Sequence, residues 1–185
     1  MSMCDWCRNT AYCKVMEDAL YNAVNGGGRY CETFSCSLPI ISMGMTSPPF
    51  VNEEKSVTRR DWASKTTRKF PKGQFFQAFS KQLQFGGEAI GIGKIWKEPI
   101  KESTGEMTCV DPELEGFEYL CDRWEELNPG KDCPLVLAFV RWCEADIIMT
   151  VIPFDTIEIF PGMKDKYSTD EEIVKAVKAL VEALP

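Results

Sequence analysis

Apolar positions recur along this chain at two spacings, and the switches between them outline its elements. Residues 14–24 carry Val15, Met16, Ala19, Leu20, Ala23 and Val24 at helical intervals, and Asn25-Gly26-Gly27-Gly28 ends the run because these residues accept positive φ. Ile40-Ile41-Ser42-Met43 reads as a strand that enters an irregular stretch, Thr46-Ser47-Pro48-Pro49. Phe75–Phe79 and Ala89–Trp96 follow as a hairpin-like pair of strands with Phe85-Gly86-Gly87-Glu88 as a tight turn between them. In the second strand Ile90, Ile92, Lys94 and Trp96 share one face, and Gly91, Gly93 and Ile95 the other.

Further along, Asp111 before Pro112 predicts an N-cap with proline at the first helical position. Leu114, Phe117, Leu120, Cys121, Trp124 and Leu127 then form an apolar stripe up to Asn128-Pro129-Gly130. Leu135–Trp142 is apolar apart from Arg141, the pattern of a strand buried on both faces. Ile147–Ile152 and Thr156–Phe160 predict two more strands. At the C-terminus Thr169 and Glu172 have capping-box spacing, and Ile173, Val174, Val177, Leu180, Val181 and Leu184 line one face of a helix that needs a partner surface. Short strands among a few helices, without an internal repeat, predict an α+β fold around a small, partly closed sheet.

Composition bounds what such a fold can do. The 185 residues are 44% hydrophobic and 26% charged, as in an ordinary globular domain with a sizeable core. No run approaches the roughly 18 apolar residues of a membrane span, and Met1-Ser2-Met3-Cys4-Asp5 lacks the pattern of a secretory signal, so a soluble cytoplasmic protein without a membrane partner is expected. Histidine is absent, which removes Ser-His-Asp and Cys-His catalysis and His-ligated metals. The net charge of −7 disfavours nucleic acid over the molecule as a whole, but the charge is unevenly distributed. Residues 55–72 hold seven cations and one acid, whereas residues 98–126 hold ten acids against Lys101 and Arg123.

The basic block opens with Lys55-Ser56-Val57-Thr58-Arg59-Arg60-Asp61-Trp62. On an extended segment Ser56, Thr58 and Arg60 point one way and Lys55, Val57, Arg59 and Asp61 the other, while a turn near Ser56 would bring Lys55 to Thr58. A hydroxyl beside an amine is one of the few nucleophile pairs open to a chain without histidine, because a desolvated lysine gives up its proton more easily and then serves as base. The same segment also reads as a solvated basic loop. Trp62 reads equally as a platform for a nucleobase or as a cap on the core.

The ordered series from Ile41-Ser42-Met43 through Lys55-Ser56-Val57-Thr58-Arg59-Arg60-Asp61-Trp62, Phe70-Pro71-Lys72-Gly73-Gln74, Lys81, Gly87-Glu88, Ile90-Gly91, Pro99, Asp111 and Glu115-Gly116-Phe117 resembles an ASCH domain, particularly bacteriophage-encoded members. The likeness covers about residues 40–143 and implies a PUA-like β-barrel with a cleft that takes RNA or modified nucleosides. Arg59, Arg60, Trp62, Lys65 and Lys81 are then the candidate ligand contacts. One branch of that superfamily is similar to an amidohydrolase acting on N(4)-acetylcytidine. Its lysine, threonine and glutamate fall on Lys55 as base, Thr58 as nucleophile and Glu115 as proton carrier to the leaving group. The chain departs from that enzyme in its length, in Ser56 where threonine is usual, and in extensions at both ends.

The nine cysteines are an odd number and read as reduced thiols rather than a disulfide framework. Cys4-x2-Cys7 and Cys31-x4-Cys36 have spacings compatible with a small zinc site, but free buried thiols are the expected reading, and no cofactor is assigned. Cys109, Cys121, Cys133 and Cys143 are expected to pack as small hydrophobes. The expected organisation is thus a Cys-rich helical extension over 1–37, an ASCH-type, PUA-like small β-barrel over 38–144, and a strand-and-helix extension over 145–185. The extensions are candidate surfaces for a protein partner.

Overall fold

The computed structural model describes residues 38–184, apart from the side chains of Ser64 and Lys65. The chain divides into two units, Met1–Pro39 and Ile40–Pro185, and the described elements belong to the second. The helix expected over 14–24 and the cysteines from Cys4 to Cys36 lie outside the described residues.

In chain order the elements are β1 (Ile40–Ser42), α1 (Ser47–Val51), β2 (Val57–Arg60), α2 (Ser64–Thr67), β3 (Phe75–Phe79), β4 (Ala89–Ile95) and β5 (Ile100–Ser103). Then follow α3 (Asp111–Leu114), α4 (Phe117–Leu127), α5 (Leu135–Glu144), β6 (Ile148–Ile159), α6 (Met163–Tyr167) and α7 (Asp170–Ala183). The fold is α+β, a curled half-barrel sheet with several helices. The strand order is β1-β3-β4-β6-β2; β1 and β3 are parallel and the other pairs antiparallel. The twelve-residue β6 is its spine. Residues 150–153 of β6 pair with β2, 148–151 with β5 and 154–159 with β4, so β2 and β5 occupy opposite edges of the same stretch.

This arrangement corrects two expectations. The strand assigned to a C-terminal extension lies inside the sheet, paired with β2, β4 and β5. The two strands expected over 147–160 are one. Pro153, which looks like a break, sits where pairing on one edge passes from β5 to β4.

A third correction concerns Leu135–Trp142, which is helical. Leu135, Ala138 and Trp142 are buried while Val136, Leu137 and Val140 face outward, the spacing of a helix face. The expected helix over 111–127 also breaks, at Glu115–Gly116, into α3 and α4. Val110 rather than Asp111 occupies the N-cap position, and the Asp111 side chain turns elsewhere. In the C-terminal helix Thr169 Oγ accepts from the Glu172 amide at 3.3 Å, but the Glu172 carboxylate accepts from Lys175 instead of closing the box.

Two apolar clusters hold the unit together. One lies on the sheet, where Phe76 meets Phe154 edge to face at 5.4 Å and Ile41, Phe50, Ile90, Ile95 and Ile152 fill in around them. Gly93 is needed there, because a Cβ would stand 2.3 Å from the Phe76 ring. The other cluster joins α4, α5 and α7 through Phe117, Leu120, Leu135, Trp142, Ile173, Val177 and Leu180, each large side chain contributing about 2 kcal/mol of burial. This is the partner surface that α7 requires. Among the described residues no helix is long and apolar enough to cross a membrane.

Candidate functional site

The site is built where the loop before β2 meets the α3–α4 break. The Ser56 amide donates to the Leu114 carbonyl at 2.9 Å, and the Ser56 carbonyl accepts from the Phe154 amide at 2.8 Å. One residue thus ties the end of α3 to the spine strand. Gly116 makes the break: its φ is +79°, and a Cβ would stand 2.4 Å from Cβ of Pro49 and 3.1 Å from the Glu54 carbonyl. The backbone turns sharply there, and Glu115 is left pointing into the interior.

Lys55 Nζ donates to Glu115 Oε2 at 2.6 Å and to the Glu115 carbonyl at 2.9 Å, both groups being almost wholly buried. Arg59 Nη1 donates to Glu115 Oε1 at 3.1 Å, and Arg59 Nη2 donates to Glu102 at 2.9 Å and to Asp111. The second Asp111 oxygen accepts from the Thr108 amide at 2.6 Å and from its hydroxyl at 2.9 Å. Burial raises the Asp111 carboxyl pKa, but these bonds and Arg59 outweigh it and hold the group below its usual value. For Lys55 burial wins: its pKa falls to about 8 although Glu115 pulls it upward, with Arg60 and Arg59 adding to the fall.

Lys55 at this pKa has a chemical use. An ammonium has three N–H groups, of which Glu115 takes two; after losing one proton the amine can keep both bonds and present a lone pair. By proton equilibrium about a tenth of the groups would be neutral at pH 7. Among the described residues Thr58 Oγ1 is buried without a hydrogen-bond partner, and Arg59 Nε is likewise unsatisfied. A buried hydroxyl without a partner costs about 1–3 kcal/mol and is the kind of group a ligand completes.

Of the residues singled out from the sequence, Lys55 and Glu115 are in contact, and Thr58 stands three residues beyond Lys55 on β2 without a bond to either. The ligand contacts are redistributed. Arg59 is 5% exposed and committed to three carboxylates, so as a phosphate contact it is corrected to an internal ion-pair residue. Arg60 donates to the Ser42 carbonyl. Trp62 stacks on Phe70 with ring centroids 4.8 Å apart and packs against the sheet cluster, which makes it a cap on the core. Lys81 is exposed, well away in sequence on the turn after β3, and Lys65 falls in α2 with its side chain outside the described residues. Of the basic block, Arg68, Lys69 and Lys72 are exposed.

Sequence reasoning missed Glu102 and Asp111 as partners of Arg59. The run of acids over 98–126, opposite in sign to the basic block, was the available signal. Among the described residues no cluster of Cys, Asp and Glu could hold a metal ion; the Cys4, Cys7, Cys31 and Cys36 set lies outside them.

No protein-family model and no curated protein matches the chain. Among solved structures it is similar to protein EF3133 from Enterococcus faecalis V583, whose description gives the family model DUF984. The identity is 12% and the TM-score 0.42, over 80% of this chain and 94% of that one.

Proposed function

We propose that the chain is a PUA-like, ASCH-type module that takes a modified nucleoside, free or within RNA, at the Lys55–Thr58–Glu115 cluster. The observation that carries this reading is the buried Thr58 hydroxyl, without a partner among the described residues, on β2, where the neighbouring Lys55 and Arg59 are already paired with carboxylates. Such a site offers a hydrogen bond and little net charge. It therefore suits a nucleobase edge better than a phosphate chain.

A second reading, hydrolysis of an N-acylated nucleoside, is favoured by the lowered Lys55 pKa. In it the neutral Lys55 amine takes the Thr58 proton as Oγ attacks the acyl carbon. The tetrahedral intermediate expels the base amine, which is protonated through Glu115, and water then cleaves the acyl–Thr58 ester to release the carboxylic acid.

One experiment separates the two. Cytidine and N(4)-acetylcytidine are titrated into the protein by calorimetry, and the mixtures are followed by chromatography. Binding that weakens at least tenfold in Thr58→Ala without turnover supports the binding module. Release of acetate that is lost in both Thr58→Ala and Lys55→Arg supports the enzyme, since guanidinium keeps its proton at neutral pH. Neither binding nor turnover by the wild-type chain rejects both readings.

A further inference from the structure

We propose that Cys121 and Cys133 form a reversible oxidation site that reacts with a small hydroperoxide and closes to a disulfide joining α4 to the start of α5. Both are free thiols, yet their sulfurs lie 2.6 Å apart, nearer to the roughly 2.05 Å of a disulfide bond than to ordinary non-bonded contact. Among the described residues this is the one hydrogen bond between two thiols. Cys121 sits mid-helix on α4 and Cys133 in the segment leading into α5, so the pair already spans the two elements it would join.

The surroundings assign different roles to the two sulfurs. The Cys121 thiol donates to the Cys133 sulfur, and this bond, with the backbone N–H groups of Leu135 and Val136 near the start of the ten-residue α5, lowers the Cys133 pKa against the effect of burial; the Val136 N–H itself donates to the Cys133 carbonyl at 3.2 Å. Donating that bond, burial and the nearby Cys133, Glu125 and Asp122 raise the Cys121 thiol. Cys133 is thus the thiolate that reacts first and Cys121 the thiol that resolves it. Cys133 is almost wholly buried and Cys121 half-buried, so the Cys121 side is the more exposed side of the pair.

The chemistry balances. The Cys133 sulfur displaces one oxygen of the hydroperoxide: an S–O bond forms, the O–O bond breaks, and with hydrogen peroxide one water leaves. The Cys121 sulfur then attacks the resulting sulfenic acid, the S–S bond forms, the S–O bond breaks, and a second water leaves. Two thiols lose two electrons and the peroxide gains them. A dithiol reductant reverses the product.

The test uses the full chain, reduced, freed of reductant, and treated with graded hydrogen peroxide up to about ten equivalents. Alkylation and tryptic digestion then place Cys109 and Cys121 together in the peptide 102–123 and Cys133 in 132–141, and fragmentation of the linked species assigns which of the two cysteines it joins. The expected product is these two peptides linked, two hydrogens lighter than their sum, formed ahead of any oxidation of the exposed Cys109 and absent after dithiothreitol. In Cys121→Ser the linked peptide disappears and Cys133 is recovered as a sulfenic acid or a higher acid. Oxidation of Cys109 ahead of the pair without a linked peptide, or a Cys133 that stays alkylatable in Cys121→Ser at the highest peroxide, overturns the proposal.

Discussion

Arg59→Ala separates the sequence expectation for this residue from its place in the fold. The substitution removes a guanidinium, 3% exposed, that binds Glu115 at 3.1 Å, Glu102 at 2.9 Å and Asp111. Lys55 still neutralises Glu115, so the carboxylates left without a cation are Asp111 and Glu102. Breaking a buried ion pair from one side costs about 3–5 kcal/mol. The lower end applies here, because Thr108 continues to bond Asp111 and the Glu102 side chain, 23% exposed, can turn toward water. A loss of about 3 kcal/mol is expected, read in urea as a lower midpoint at unchanged slope, or as a melting temperature about 6–12 °C lower.

The pH dependence supplies an internal check. Asp111 is held below its usual pKa of 3.8 in the fold, so its stabilising contribution is complete above that value and is lost as pH falls through the lower folded value. The deficit of Arg59→Ala should therefore shrink as the pH falls below 3.8 and Asp111 becomes protonated. A variant within about 0.5 kcal/mol of wild type that loses RNA affinity instead would falsify the internal role and restore Arg59 as a ligand contact.

Gly116→Ala places a Cβ 2.4 Å from Pro49 Cβ at a φ of +79°, and should cost about 2–4 kcal/mol from left-handed strain and the clash together. An unchanged melting temperature would mean that the α3–α4 break does not set the position of Glu115. For Lys55 the folded pKa of about 8 lies below its usual 10.5, so the unfolded chain holds more protons between these values and stability due to this group rises with pH across that window. The stability difference between wild type and Lys55→Met should accordingly grow by about 3 kcal/mol from pH 8 to 10.5, and a flat difference removes the basis for a lysine base.

How far the fold was legible depended on whether local signals were redundant. The helix α7 carried a cap, a periodic stripe and a charged outer face, and β3 and β4 alternated between glycine-marked turns; each was read close to its observed limits. Leu135–Trp142 carried one signal only, uniform apolarity, which a helix on a core and a doubly buried strand share. The outward Val136, Leu137 and Val140 removed the contrast that would have revealed the helical period. At the site, Lys55 and Glu115 are 60 residues apart, and their meeting depends on Gly116 and the Ser56 bonds, which no local pattern encodes. Arg59 looked like a ligand contact because its neighbours in sequence are cationic. Its neighbours in space are carboxylates delivered by β5, α3 and the break after it.

That neutralisation bears on the ligand. Around the start of β2 three cations, Lys55, Arg59 and Arg60, face three carboxylates, Glu102, Asp111 and Glu115, so the cluster as a whole carries no net formal charge. A site of this kind gains nothing from counterion release, and binding of an uncharged nucleoside there should be nearly independent of salt. An RNA oligonucleotide carrying the same base should add a slope in log K against log salt of about −0.7 for each phosphate that reaches a lysine or arginine. The exposed Arg68, Lys69 and Lys72 are the cations of the basic block placed to do this. Replacing Arg68 and Lys69 by alanine should flatten the RNA slope by more than one unit and leave nucleoside affinity unchanged, measured by titration from about 50 to 200 mM salt. A steep salt dependence for the free nucleoside would mean that the cluster opens and releases a cation on binding, against the neutral site described here.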